Sequence, residues 1–513
     1  MAGSEADVNT QIRDLQAQLE QLKATKPGPS VFDTYQTSLT GRYCSPEMAR
    51  LFSQRSRHST WRKLWLALAE SERELGIETI TAEALEQMAA HLEVTDADFE
   101  IARVEEKRRR HDVMAHVHAF GAVAPAAAGI IHLGATSCYV TDNAELILMR
   151  DAIDLLLPKL AKVISNLAKF ALQWKDTPTL AYTHLQPAQL ITVGKRAAQW
   201  AQDLLFDLES FEHVRNGLKF RGAQGTTGTQ ASFLEIFGGD DAKCDELNAL
   251  LCKKTGFPAC YDVSTQTYTR KVDLIVANAI AGLGPTAQKI CGDIRHLAAW
   301  KEIEEPFEKD QIGSSAMAYK RNPMRSERVY SLARELMSKP ASFAATLADQ
   351  WQERTLDDSA IRRIDIPETF LLADAILLGL DNVTSGLVVY PRRVAARVQE
   401  ELPFMITETV IARLVARGES RQEAHEQIRV LSHQAGAVVK DEGGANDLVA
   451  RMKAAPFFAP VRADIDDMLR PELYVGRSAA IVDRFCGPAG VLAAKLRPYQ
   501  AAIDRAATAE LNV

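Results

Sequence analysis

Between Asp142 and Trp174 the apolar residues Leu146, Met149, Ile153, Leu156, Leu160, Val163, Leu167 and Phe170 fall at alternating steps of three and four. That is the period of one helix face, and Asp142 is a candidate cap for its start. The pattern returns after Pro187, through Leu190, Val193, Ala197, Trp200, Leu204, Leu208, Phe211, Val214 and Leu218. It returns again from Val272 to Ile303, with a kink expected at Pro285, then after Arg325 and after Pro367. A helix of about 30 residues is about 45 Å long, far beyond the usual mean of about 11–12 residues. Helices that are apolar on more than one face must bury those faces in a bundle, often across subunits. No strand-rich region and no internal repeat interrupts this reading. The expected fold class is all-α, with three helical domains arranged around a long central bundle. The N-terminal helical domain is read as 31–136, the bundle as 137–390 and a C-terminal helical domain as 391–513. Residues 1–30 stand apart as a flexible tail with a short amphipathic helix. There Ile12, Leu15, Leu19 and Leu22 have heptad-like spacing, and Lys26-Pro27-Gly28-Pro29-Ser30 ends it.

Composition narrows the function classes. The 513 residues are 47% hydrophobic and 25% charged, which suits a globular chain with a sizeable core. A net charge of −7 argues against general binding to nucleic acid or to a membrane surface. The seven cysteines are scattered without C-x-x-C spacing, so they read as reduced thiols and not as a zinc site. The start, Met1-Ala-Gly-Ser-Glu-Ala-Asp7, lacks the features of a secretion or mitochondrial signal. The least polar stretch, Ala119 to Ile131, is too short to span a bilayer. The expected location is the cytoplasm.

Four local signals are set aside. Gly282-Leu-Gly284-Pro-Thr-Ala287 fits a dinucleotide fingerprint, but it lies inside a helical pattern instead of after a strand. Gly194-Lys195 lacks the rest of a P-loop. His116 and His118 are two apart, which puts them on different helix faces and disfavours a shared metal. Lys107 to Arg110 reads mostly as a solvated helix end balanced by Glu105 and Glu106.

The segment Gly313-Ser-Ser-Ala-Met-Ala-Tyr-Lys-Arg-Asn-Pro323 connects two long helical patterns. It is either a flexible turn or a functional loop on a rigid scaffold. An elimination next to a carboxylate needs a base at a weakly acidic C–H, fixed donors for the growing negative charge, and an acid for the leaving group. Ser314 is a candidate for that base, as an alkoxide held by cations or backbone N–H groups. Lys320 and Asn322 are candidates for the donors, and histidine is the natural acid near neutral pH.

The same segment resembles the G-S-S-x-M-P-x-K-x-N-P signature of the fumarase/aspartase superfamily. Within it, the run from Ser314 to Glu327 resembles the animal-type adenylosuccinate lyase family. Supporting segments are Arg42-Tyr43, Lys107 to His118, His132 to Ser137, Thr183 to Gln189, Gly225 to Ser232, Gln266-Thr-Tyr268, Glu353 to Ser359 and Gly418 to Gln422. The likeness runs from about Arg42 almost to the C-terminus.

The resemblance implies a fumarate-releasing β-elimination. Its substrates would be adenylosuccinate, giving AMP, and the succinylaminoimidazole-carboxamide ribotide of purine synthesis. It implies no metal or other cofactor, and a homotetramer whose sites are shared between subunits. By match, Ser314 is the general base and His184 the general acid, with Pro187 just beyond it at a helix start; that helix end would disfavour imidazolium. The plain alternative for His184 is a cap or core histidine. Lys320 and Asn322 match groups that hold the succinyl carboxylates, with Thr136, Ser137, Thr183 and Gln266 as polar partners. His111, beside Asp112, matches a substrate-orienting histidine, and Glu327 a supporting carboxylate. Arg42, Tyr43, Arg354, Ser359 and Arg363 match phosphate and ribose contacts, where guanidinium forks suit phosphate. Arg110 and Arg328 complete the substrate-binding set. The alternative for Arg354 is an ion pair with Asp357 or Asp358. Ala318 departs from the signature, which has proline there; the loop is expected to be looser for it.

Three other readings compete: a superfamily lyase for argininosuccinate, aspartate or malate, a relative without activity, and a scaffold that uses residues 1–30 to pair with a partner. The phosphate-contact set argues against the first. Joint retention of Ser314, His184, Lys320 and Asn322 argues against the second.

Overall fold

The computed structural model describes residues 33–511. The reading made for residues 1–30 lies outside them. The described chain is all-α apart from two small two-stranded sheets. Its principal helices are α1 (Gln54–Glu74), α2 (Asp96–Arg109), α3 (Asp112–Val123), α4 (Ser137–Gln173), α5 (Val193–Gly217), α6 (Lys271–Ala299), α7 (Met324–Ala348) and α8 (Asp357–Ser385).

Helices α4 to α8 pack together as the bundle that the three-and-four spacing calls for. Leu146, Ile153, Leu160 and Leu167 of α4 meet Leu204 of α5, Ile280 and Ile290 of α6, Leu336 of α7 and Leu380 of α8 in one apolar core. Close approach depends on missing side chains. A Cβ on Gly284 would lie 2.7 Å from Met337 Cγ, and one on Gly379 would lie 2.4 Å from Val329 Cγ2. The glycine pattern at 282–284 is therefore a helix-packing feature, inside α6.

Three helix starts differ from expectation. Helix α4 begins at Ser137 with Thr136 as its N-cap residue. Asp142 lies inside it, buried, and binds Arg270 instead of capping. Helix α8 begins at Asp357 and carries Pro367 in its interior, so it starts well before that proline. Helix α5 begins at Val193, not after Pro187. The intervening residues form strand β2 (Gln186–Thr192), antiparallel to β1 (Pro178–Thr183), with Thr183 opposite Gln186. A two-residue turn, His184-Leu185, joins them with φ of 55° and 57°. Such positive angles match the twist of a tight hairpin but are costly for non-glycine residues.

A second core gathers Val398, Leu402, Val410, Leu414, Ile428, Phe458 and Met468 around Leu180 and Leu190 of the hairpin. Beyond it, the helices Ser478–Cys486, Val491–Leu496 and Gln500–Arg505 return to pack on α4, the first of them also on α5.

Candidate active site

A cleft of about 500 Å³ opens among α1, α2, α3, α4, α8 and the segment leading into α6. The chain reaches it by a sharp corner. Helix α2 ends where Arg110 takes a left-handed conformation, φ 58°, and the next residue caps α3. His111 Nδ1 accepts the N–H of Met114 at 3.3 Å, so in the neutral ring Nε2 bears the proton. That nitrogen lies 3.2 Å from Ser137 Oγ, at the first turn of α4. The segment leading to Ser137 is braced from below: the Trp65 indole N–H donates to His132 Nδ1 at 2.9 Å. Burial lowers the His132 pKa to about 4, with the nearby His111 adding to the effect, which keeps this brace neutral at physiological pH.

Opposite stand Gln266, Arg354, Ser359 and Arg363. Gln266 is fixed by donating to the Thr226 carbonyl at 3.0 Å. Arg363 donates to Asp112 at 2.6 Å. Burial works against the Asp112 carboxylate, yet Arg363 holds its pKa below the usual range. Arg354 donates to Asp358 at 2.7 Å, one of the ion pairs anticipated for it, although Arg354 itself precedes α8.

Beneath these residues runs a buried charge network that sequence reading missed. Arg270, 1% exposed, lies 3.0 Å from Asp142 and 2.6 Å from Asp358. Arg362 lies 2.7 Å from Asp273 and donates to Tyr268 Oη at 2.5 Å. Asp142 is held below its ordinary pKa: burial opposes this, and the charges of Arg270 and Arg362 prevail. Arg57, paired with Glu145 at 3.2 Å, is another lining residue without a sequence signal. The remaining hint was proximity: Arg270 follows Gln266, and Asp358 and Arg362 flank the matched Ser359 and Arg363.

The other predicted residues do not line this cleft. Thr183 and His184 sit at the exposed tip of the β1–β2 hairpin. The helix start expected beside Pro187 is absent, because Pro187 pairs with Tyr182 inside the hairpin; no helix end acts on His184 from that side. Arg42 and Tyr43 lie on a short helix, Leu39–Tyr43, packed on α8, and the Arg328 guanidinium stands 5.1 Å from the Tyr43 ring. Glu327 lies 3.5 Å from Arg295. Thr136 precedes Ser137 as the α4 N-cap residue.

The 313–323 loop joins a segment after α6 to the start of α7. Ser314 Oγ accepts N–H groups from Met317 at 3.2 Å and Ala316 at 3.4 Å. Two backbone donors on one hydroxyl oxygen are the setting that favours a serine alkoxide. Asn322 Nδ2 donates to the Gly313 carbonyl at 2.8 Å and closes the loop at its base. Lys320 and Ala318 are exposed.

Residues 41–338 match the family model described as "Lyase", and residues 403–485 match "Adenylosuccinate lyase C-terminus". The adenylosuccinate lyase of Saccharomyces cerevisiae is 56% identical over 88% of this chain and 94% of its own length. The Schizosaccharomyces pombe enzyme shows the same identity and coverage. The chain belongs to the adenylosuccinate lyase family. The Schistosoma mansoni adenylosuccinate lyase, 48% identical over 88% of this chain and 94% of its own length, fits the same membership. Solved structures share the fold. A 3-carboxy-cis,cis-muconate lactonizing enzyme from Pseudomonas putida aligns with a TM-score of 0.75 at 21% identity, over 90% of this chain and all of its own. A fumarate lyase from Mesorhizobium sp. BNC1 also reaches 0.75, at 23% identity over 88% and 99% of the two chains. Like other adenylosuccinate lyases, the chain is a carbon–nitrogen lyase by family.

Proposed function

We propose that this chain splits adenylosuccinate into AMP and fumarate, and releases fumarate from succinylaminoimidazole-carboxamide ribotide, in purine nucleotide synthesis. The observation that carries the proposal is the convergence in one cleft of His111, Ser137, Gln266, Arg354, Ser359 and Arg363, in a chain 56% identical to an adenylosuccinate lyase.

Ser314, as an alkoxide, removes a proton from the succinyl carbon next to a carboxylate. The electron pair shifts into that carboxylate, and Lys320 and Asn322 stabilise the charge with Thr136, Ser137, Thr183 and Gln266. The carbon–nitrogen bond then breaks as the pair returns to form the double bond of fumarate, and His184 protonates the leaving nitrogen. His111, beside Asp112, orients the substrate, and Glu327 supports the loop. Arg354, Arg363, Ser359, Arg42 and Tyr43 hold the phosphate and ribose, with Arg110 and Arg328 beside them.

The working form is a homotetramer in which one subunit's cleft meets the hairpin and loop of others. What supports this is that none of Thr183, His184, Ser314, Lys320 or Asn322 lines the cleft of its own chain. The expected setting is the cytoplasm. Among the described residues no helix is long and apolar enough to cross a membrane.

The test is incubation of the purified protein with adenylosuccinate. Equimolar AMP and fumarate are expected. No turnover of adenylosuccinate, with turnover of argininosuccinate, aspartate or malate, would replace this reading by another lyase activity.

A further inference from the structure

The loop that carries Ser314, Lys320 and Asn322 is tied at its stems by one buried cation. Arg325, in the first turn of α7, is 2% exposed although it is charged. Its two terminal nitrogens serve different parts of the chain. Nη2 donates to Glu308 at 2.6 Å and to Gln311 at 3.1 Å, both just before the loop. Nη1 donates to Asn382 Oδ1 at 2.6 Å, on α8. Asn382 is itself fixed, because its amide donates to the Ala509 carbonyl of the C-terminal segment at 2.8 Å.

The backbone on the far stem is held as firmly. Glu305, 4% exposed, accepts the N–H groups of Arg325 at 3.0 Å and Ser326 at 2.8 Å. It also accepts the Ser326 hydroxyl at 2.7 Å. These are N–H groups that the start of α7 leaves unsatisfied, and a distant carboxylate fills the capping role.

We infer that Arg325 is a positioning residue for the elimination: it clasps the entry and exit of the 313–323 loop to the rigid bundle, and so sets where Ser314 is delivered. A guanidinium is suited to this because its planar fork bonds in two directions at once, which an ammonium does not reproduce. The inference rests on the proposed role of the loop in catalysis. A reacting group displaced by about 1 Å costs up to about a hundredfold in rate, so a clasp remote from the bond being broken still governs turnover.

Glu308 is the point at which to cut the clasp without harming the core, because its side chain is 73% exposed. In the full-length protein, E308Q combined with Q311A is expected to lower kcat about tenfold, with KM for adenylosuccinate within about twofold and the helical circular dichroism spectrum retained. Trypsin cleavage after Lys320 and Arg321 should become several-fold faster. R325K should resemble this double variant. Unchanged kcat overturns the inference, and so does a fall in kcat with unchanged cleavage. S314A separates the two levels: if it is inactive while the clasp variant is fully active, only the clasp fails. If S314A itself turns over normally, the loop has no part in the chemistry.

Discussion

Arg363 donates to Asp112 at 2.6 Å, joining α8 to α3 across the wall of the cleft. A cation matched to the nucleotide phosphate is thus already held by a carboxylate that the same site uses. Under the proposed role, binding would exchange one anionic partner for another, with the guanidinium already oriented by Asp112. R363A is expected to raise KM for adenylosuccinate by roughly ten- to a hundredfold, with a smaller change in kcat, because the phosphate is held equally before and during the reaction. R354A should act in the same sense. Steady-state kinetics decides, and an unchanged KM in both removes them from phosphate binding.

The Ser314 hydroxyl and the His184 imidazole are assigned opposite proton transfers. S314A is expected to lower kcat by about 10²–10⁴. H184N should do the same while leaving the fold intact, since asparagine tolerates the left-handed conformation at φ 55°. A turn with two non-glycine residues at positive φ carries strain, and strain of this kind concentrates at functional positions. Near-normal turnover in either variant would withdraw that residue's role.

Much of the bundle was legible in the sequence because long helices repeat their signal many times. The spacing from Leu146 to Phe170 located the end of α4 to within one residue and its start five residues late, and that from Val272 located the start of α6 to within one residue. Some helix starts were less legible. Asp142 resembles a cap but is claimed by Arg270, 128 positions away, at 3.0 Å. The hairpin was hidden because its strands are short and half exposed, so a seven-residue strand with Pro187 in it reads as the lead-in to α5. The motif residues His111, Ser137 and Gln266 were legible in the sequence, and the structure brings them together in one cleft. The buried network beneath them, Arg270 with Asp142 and Arg362 with Asp273, left no such signal, since a buried ion pair between distant residues leaves no local pattern.

Glu72 gives a pH signature independent of catalysis. It is fully buried on α1, and among the described residues neither carboxylate oxygen has a hydrogen-bond partner. Burial pushes its pKa from 4.5 to about 8. Between those values the folded protein holds a proton that the unfolded chain releases, so stability is full below about 4.5, falls as pH rises and levels off above about 8. E72Q should match the parent protein at pH 5 and melt several degrees higher at pH 9, an effect on the order of a few kcal/mol. Parallel melting-temperature profiles against pH would show that Glu72 does not titrate in this way.

In the proposed site the serine of one chain faces the histidine of another. Mixing inactive S314A with inactive H184N, after dissociation and reassembly, tests it directly. If the two residues come from different chains, random assembly leaves about a quarter of the sites with both groups intact, and about a quarter of the parent activity returns. A mixture that stays as inactive as its components would contradict the shared site.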